Sequence, residues 1–399
     1  MSPLSTDLPA VGCRLKFSSA WRCLLATSLW LAAPAVATSQ PATALPAASS
    51  WSDGPYLQFH GERQLTARWV CAGQPKQQQL LASQPVPALC GYPHVIQLNA
   101  ADQQQQPLTL PNWQFKASRI AAISDIHGQY DLMLRLLQAA GVIDAAGHWQ
   151  FADGHLVIVG DVMDRGDAVT PAFWQLYQLQ QQAAAAGGKV HLLPGNHETM
   201  VLRADLRYLH EHYQQTSALL GQSQMQLYGT DTVLGQWLRR QPLFIRINDT
   251  LFVHGGLSPA YAQLAAAQQL TPEQALLAYQ QSLGKSRDQL KAEPLQAFLQ
   301  GADGPLWYRG YFRRGSDFTP MGLTALLKTF AASRIVVGHT TMDQVYQHHA
   351  GLVLSTDSDI KDGEQGEVLH FAGGQWFKTG LDGQQKPLRD GAHQHKDKK

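Results

Sequence analysis

Five short apolar runs in this chain each end abruptly in a polar cluster, and this recurrence limits the fold more than any other feature. Ile120 to Ile123 leads into Ser124-Asp125-Ile126-His127-Gly128. Leu156 to Val159 leads into Gly160-Asp161-Val162-Met163-Asp164-Arg165-Gly166. Val190 to Leu193 leads into Pro194-Gly195-Asn196-His197-Glu198, Leu251 to Val253 into His254-Gly255-Gly256, and Ile335 to Val337 into Gly338-His339-Thr340. Short continuous apolar runs fit strands buried on both faces. Leu132 to Ala140 and Pro171 to Ala186 have helical spacing and stop at glycines, as helices do. The pattern predicts an α/β fold whose strand ends bring Asp, Asn and His to one sheet edge, where such scaffolds place ligands and catalysts.

The residue types at those ends point to a metal. Asp and Asn offer hard oxygens and His offers imidazole nitrogen. A mixed set of this kind suits Mn, Fe or Zn better than Ca, and no cysteine competes for a softer ion. The segments resemble, in order, the signature of the calcineurin-like metallophosphoesterases, and within them the PPP-type phosphatases. The resemblance covers roughly Arg119 to Asp359, with Ser124 where many members have Gly. The leader, Gly304 to Arg309 and a long helical insertion look most like the Shewanella-like branch.

The resemblance implies a four-layer α/β/β/α sandwich of mixed sheets holding two divalent metal ions. Asp125 and His127 would bind the first ion, Asp161 would bridge both, and Asn196, His254 and His339 would complete the second. A hydroxide bridging the ions would then attack phosphorus. His197 would protonate the leaving oxygen, and Asp164 would hold its ring in the right tautomer. Arg165 would grip phosphate. Arg309 would be a second clamp, with Arg313 and Arg314 close enough to replace it. Arg203 and Arg207 read as surface residues.

The expected function is hydrolysis of phosphomonoesters, on phosphotyrosine or phosphoserine peptides. The alternative is a small-molecule phosphohydrolase cleaving dinucleoside polyphosphates or nucleotides. A non-catalytic binding module is disfavoured because every ligand type is intact. The branch leans toward phosphotyrosine. An open cleft able to admit a phenyl ring would favour the peptide reading, and a deep basic pocket for a second phosphate the dinucleotide one.

The remaining chain reads as context. Residues 1–37 form a signal peptide, with Arg14, Lys16 and Arg22 ahead of an apolar stretch from Cys23 to Ala33 and Ala35-Val36-Ala37 as the cleavage site. The mature chain is expected to be periplasmic or secreted, without stable membrane insertion; the competing reading is an uncleaved anchor. Residues 38–50 read as a linker and 51–116 as a small β-rich domain with strands such as Tyr56–Phe59 and His94–Leu98. The catalytic domain spans 117–385, with a helical insertion at about 259–300, and 386–399 is a polar tail. Two cysteines leave with the leader. Cys71 and Cys90 remain, as a disulfide in an oxidising compartment or as two free thiols. Lys and Arg number 31 against 30 Asp and Glu, so no charge pattern points to nucleic acid. Oligomeric state is unreadable from sequence.

Overall fold

A computed structural model describes residues 51–391 apart from Glu62. The leader, the 38–50 linker and residues 392–399 of the tail lie outside the described residues.

Two mixed sheets face each other. One runs in the order β15 (Gln385–Pro387), β14 (Gln375–Gly380), β13 (Glu367–Ala372), β5 (Ile120–Ile123), β6 (His155–Val159), β7 (Lys189–Leu193). The other runs β16 (Arg389–Asp390), β11 (Tyr346–His348), β12 (Val353–Ser355), β10 (Arg334–Val337), β9 (Thr250–Val253), β8 (Phe244–Ile247), β4 (Gln114–Phe115). Strands β5, β6 and β7 are mutually parallel, as are β9, β10 and β12.

Side-chain alternation along each strand explains the apolar runs. Ile120, Ala122, Val157, Val159, Phe252 and Val336 point into one buried layer between the sheets. Their neighbours Ala121, Ile123, Leu156 and Ile158 point outward, onto the helices Tyr130–Ala139 and Val169–Ala185. Leu251, Val253, Ile335 and Val337 point outward on the other sheet, into a core shared with the helices Pro259–Gln268, Pro272–Ser282 and Pro320–Thr329. Both faces of each central strand are thus dry, and the result is the four-layer α/β/β/α sandwich.

A three-stranded antiparallel sheet, β1 (Asp53–His60), β2 (Gln64–Cys71) and β3 (Gln74–Leu81), shares its core with the helix Val169–Ala185. Its buried carboxylate, Asp53, accepts hydrogen bonds from Tyr56 at 2.6 Å and Thr216 at 3.1 Å. Cys71 and Cys90 are joined as a disulfide, with their Cα atoms 5.5 Å apart.

Three expectations need correction. His94–Leu98 is no strand; only a single bridge pairs Ile96 with Val86. Gln114–Phe115, assigned to the β-rich domain, extends the seven-stranded sheet as β4. Residues 386–390 are not all tail. Gln385–Pro387 pairs with β14 and Arg389–Asp390 with β11, capping an edge of each sheet. These are polar segments held by backbone hydrogen bonds, which leave no apolar pattern to read. Among the described residues no helix is long and apolar enough to cross a membrane.

Candidate metal centre and active site

The C-terminal ends of β5, β6, β7, β9 and β10 converge, each delivering the polar cluster that follows its run. The backbone there is unusual. Asp125, His127, Asp161, Asp164, Arg165 and His339 all have positive φ, between 47° and 70°. Non-glycine residues pay of order 1–3 kcal/mol each for such conformations, which persist where the surroundings over-determine them. Two glycines admit close approach. A Cβ on Gly195 would collide with the Asp161 carboxylate, and one on Gly338 would lie 2.5 Å from Asp125 Oδ2.

Asp161 is the centre of the cluster. Its Oδ1 accepts the backbone N–H of His197 at 3.0 Å. Its Oδ2 faces three imidazoles: His254 Nε2 at 3.2 Å, His127 Nε2 at 3.7 Å and His197 Nε2 at 3.9 Å. Two groups of donor atoms, each lying within 4.8 Å of one another, share this carboxylate: His127, Asp161 and His197, and Asp161, His254 and His339. Asn196 adds Oδ1, 3.0 Å from His254 Nε2. Asp125 joins through Oδ2, which accepts the backbone N–H of His339 at 2.9 Å.

Backbone carbonyls set the tautomers. His127 Nδ1 donates to Met163 O at 2.7 Å and His254 Nδ1 to Val159 O at 2.7 Å, which turns both Nε2 atoms toward Asp161. His339 is held the other way, with Nε2 3.2 Å from Trp307 O, so its lone pair is on Nδ1, which lies 3.4 Å from Arg309 Nη2. Fixing one ring nitrogen by a hydrogen bond is how histidines are aimed at metals.

The electrostatics fit a divalent cation. Burial pushes the carboxyls of Asp125 and Asp357 up, and each is pushed further by a neighbouring aspartate. Burial resists ionisation of Asp161 too, yet the imidazoles of His254, His197 and His127 hold it well below the usual carboxylate range. Burial drives His127 and His339 well below their ordinary value, leaving neutral rings with a lone pair to offer. His254 moves the opposite way: burial opposes its charge, but Asp161 beside it raises it to about 9. A cation held there would take the place of that proton. Buried carboxylates facing neutral imidazoles form a donor set suited to a borderline divalent metal.

Beside this cluster, His197 Nδ1 hydrogen-bonds Asp164 Oδ2 at 2.7 Å, with both side chains buried. Asp164 Oδ1 is buried without a partner, and burial pushes this carboxyl up against the pull of His197. Arg165 is exposed and lies over the ring of Tyr208, 4.9 Å from its centroid. Arg309 is half-buried and donates to His339 O at 3.2 Å. Arg313 and Arg314 lie further out, in a cleft that Arg309 also lines.

Three residues of this region have no role in the sequence reading. Glu198 accepts four backbone N–H groups, from Asp161, Val162, Met163 and Gly195, at 2.6 to 3.0 Å, and so ties the loops after β6 and β7 together. Its place three residues after Gly195, in the first turn of the helix Asn196–Leu202, was the available signal. Asp357 is buried behind Asp125 and accepts from Thr341 at 2.9 Å. It also follows a strand, β12, with two residues between it and the last apolar residue, Leu354. Tyr208 is 42% exposed, and its ring centroid is 5.1 Å from that of His197.

Residues 118–342 match the model of the calcineurin-like phosphoesterase family. The chain belongs to that family, and it is a metal-dependent phosphatase. It is similar to the crystal structure of a cold-active protein-tyrosine phosphatase from a psychrophilic Shewanella: 38% identity over 85% of this chain and 100% of that one, with a TM-score of 0.78. It is also similar to Shewanella-like protein phosphatase 2 of Arabidopsis thaliana, at 37% identity over 24% of each chain. Shewanella-like protein phosphatase 1 of Plasmodium berghei matches at 26% identity, over 56% of this chain and 61% of that protein. The matches to these two curated relatives span less than two thirds of their length.

Proposed function

We propose that this chain is an exported, two-metal protein phosphatase acting on phosphotyrosine. The observation that carries the phosphotyrosine preference is Tyr208. It is a 42% exposed ring beside His197 and under Arg165, against whose accessible part the phenyl ring of phosphotyrosine would pack. The name of the Shewanella relative supports the same reading. Export is supported by the leader pattern and by the Cys71–Cys90 disulfide, a bond of oxidising compartments.

Asp125, His127, Asp161, Asn196, His254 and His339 would hold two ions (manganese, iron or zinc), which would supply an acidified water and polarise the phosphoryl group. Arg165 and Arg309 would bind phosphate oxygens as planar forks. His197 would carry the proton on Nε2 and deliver it to the leaving oxygen as the ester P–O bond breaks. Asp164, on Nδ1, would hold the ring in place and stabilise its charged form. Glu198 is a positioning residue, keeping the Asp161 and Asn196 loops in register.

A second reading has its own observation: an open basic cleft beside Arg309 would also suit the second phosphate of a dinucleoside polyphosphate. A panel of phosphotyrosine peptide, phosphoserine peptide and diadenosine tetraphosphate at equal metal loading separates the readings. The phosphotyrosine peptide should have the highest kcat/KM, and Tyr208→Ala should cost it about fivefold, roughly one aromatic contact, while sparing phosphoserine. Fastest turnover of the dinucleotide would overturn the reading.

A further inference from the structure

We propose that the cleft beside Arg309 binds anionic groups, carboxylates or a second phosphate, that flank the phosphorylated residue of a protein substrate. This rests on the phosphatase reading above and names the substrate class that the same site selects.

The cleft has a volume of about 660 Å³ and is lined by Arg203, Arg207, Arg287, Lys291, Arg313 and Arg314, with Arg309 toward His339. Two carboxylates, Asp303 and Asp317, share the lining with these seven cations. The whole chain carries a formal charge of only +1, so this positive field is a local concentration. The cations come from three separate places: the segment after the helix Asn196–Leu202, the insertion helix Arg287–Lys291 and the loop after Tyr308.

Not all of that charge is free. Arg207 and Arg287 both pair with Asp205, at 2.8 and 3.1 Å, and Lys291 pairs with Asp288 at 2.8 Å. Arg313 and Arg314 are exposed, and among the described residues no carboxylate lies within ion-pair distance of either. Arg203 donates to Gln300 at 3.4 Å and also feels the charge of Asp205, so it is partly answered. Two guanidinium groups therefore stand unanswered in one cleft, and guanidinium forks match carboxylate and phosphate geometry.

The walls offer a nucleotide base little aromatic surface. Tyr308 is buried, and Trp307 is half-buried with its ring perpendicular to that of His339, centroids 5.7 Å apart. Burial closes Tyr308 to stacking, which leaves the half-buried Trp307 as the lining's one partly accessible aromatic ring. Arg309 lines the cleft and also touches His339. A chain whose phosphate is held by Arg165 and Arg309 would therefore continue past Arg309 among the free arginines.

The test compares the full protein with an Arg313→Ala/Arg314→Ala variant, two exposed positions outside the catalytic set. The substrates are phosphotyrosine peptides with neutral, Glu-rich, Lys-rich or additionally phosphoserine-bearing flanks, with p-nitrophenyl phosphate as the flankless control. The wild type should show a KM about tenfold lower for Glu-rich or doubly phosphorylated peptides than for neutral ones, fading at ~0.5 M salt. The two anionic arms identify which group is preferred. The variant should lose most of that discrimination in KM, with kcat and p-nitrophenyl phosphate turnover unchanged. Equal kcat/KM across flanks, or discrimination retained by the variant, would overturn the cleft assignment while leaving the phosphatase reading intact. Hydrolysis of diadenosine tetraphosphate in preference to every peptide, slowed by the same variant, would instead overturn the phosphoprotein reading and give the cleft to a nucleotide.

Discussion

Asp164→Asn isolates charge from geometry at the proposed acid. His197 Nδ1 lies 2.7 Å from Asp164 Oδ2, and the two side chains are 4% and 0% exposed. An asparagine oxygen in the same place still accepts the Nδ1 hydrogen bond, and the volume is unchanged, so the loss is mainly the negative charge. With charge centres about 4 Å apart and an effective dielectric of ~20, the attraction between this carboxylate and a protonated ring is about 4 kcal/mol. Spread over a barrier, that is up to ~10³ in rate. The penalty must depend on the leaving group. A serine alkoxide needs the proton, whereas p-nitrophenolate departs without it. We expect a fall of ~10²–10³ in kcat on phosphoserine peptide and roughly tenfold or less on p-nitrophenyl phosphate, with metal content by mass spectrometry unchanged. Equal losses on the two substrates would refute the argument and reduce Asp164 to a packing element.

Two further predictions concern the body of the protein. Cys71→Ser opens a loop of sequence separation 19, worth about 3 kcal/mol in the chain-entropy model. For a folded body of roughly 340 residues that is a drop of about 4–5 °C in Tm by calorimetry, with the initial rate at low temperature unaffected. His155 is held at about 4, first by burial and then by Lys189, and its Nδ1 sits 3.0 Å from His191 Nε2. The unfolded ring takes its proton near 6.5, before the folded one does, so stability should fall as pH drops from about 6.5 toward 4. His155→Gln should flatten that limb in urea midpoints measured against pH; an unchanged slope would place the acid sensitivity elsewhere.

How much of this was legible in sequence follows from where the free energy lies. The strands bearing Asp125, Asp161, Asn196, His254 and His339 were readable because both of their faces are buried, and double burial leaves a run of apolar residues with no polar interruption. Asp357 ends a strand of the same kind. It escaped notice because Ser355 and Thr356 separate it from the apolar residues of β12. Gln180 to Gln182 form a run with no apolar pattern, yet Gln180 accepts from Trp237 Nε1 and Gln182 from the Trp149 backbone. Amide side chains make such contacts without leaving a periodic trace. The edge strands β15 and β16 were read as tail for the same reason: backbone pairing carries no side-chain signature.

The basic cleft shows a different limit. Arg203 with Arg207, Arg287 with Lys291, and Arg313 with Arg314 are each an ordinary pair of surface charges in a chain with nearly equal numbers of both signs. Coulomb energy depends on distance in space, and only the fold brings the three pairs to one wall. Local patterning therefore exposes the metal ligands, which are tied one by one to strand ends. A recognition surface assembled from an insertion, a post-helix segment and a loop has no such anchor in the sequence. That difference is why substrate selection within the family has to be argued from the assembled cleft, and why the paired and unpaired arginines within it predict different consequences. Removing Arg207 and Arg287 together would release Asp205 into the cleft, whereas removing Arg313 or Arg314 subtracts positive charge alone.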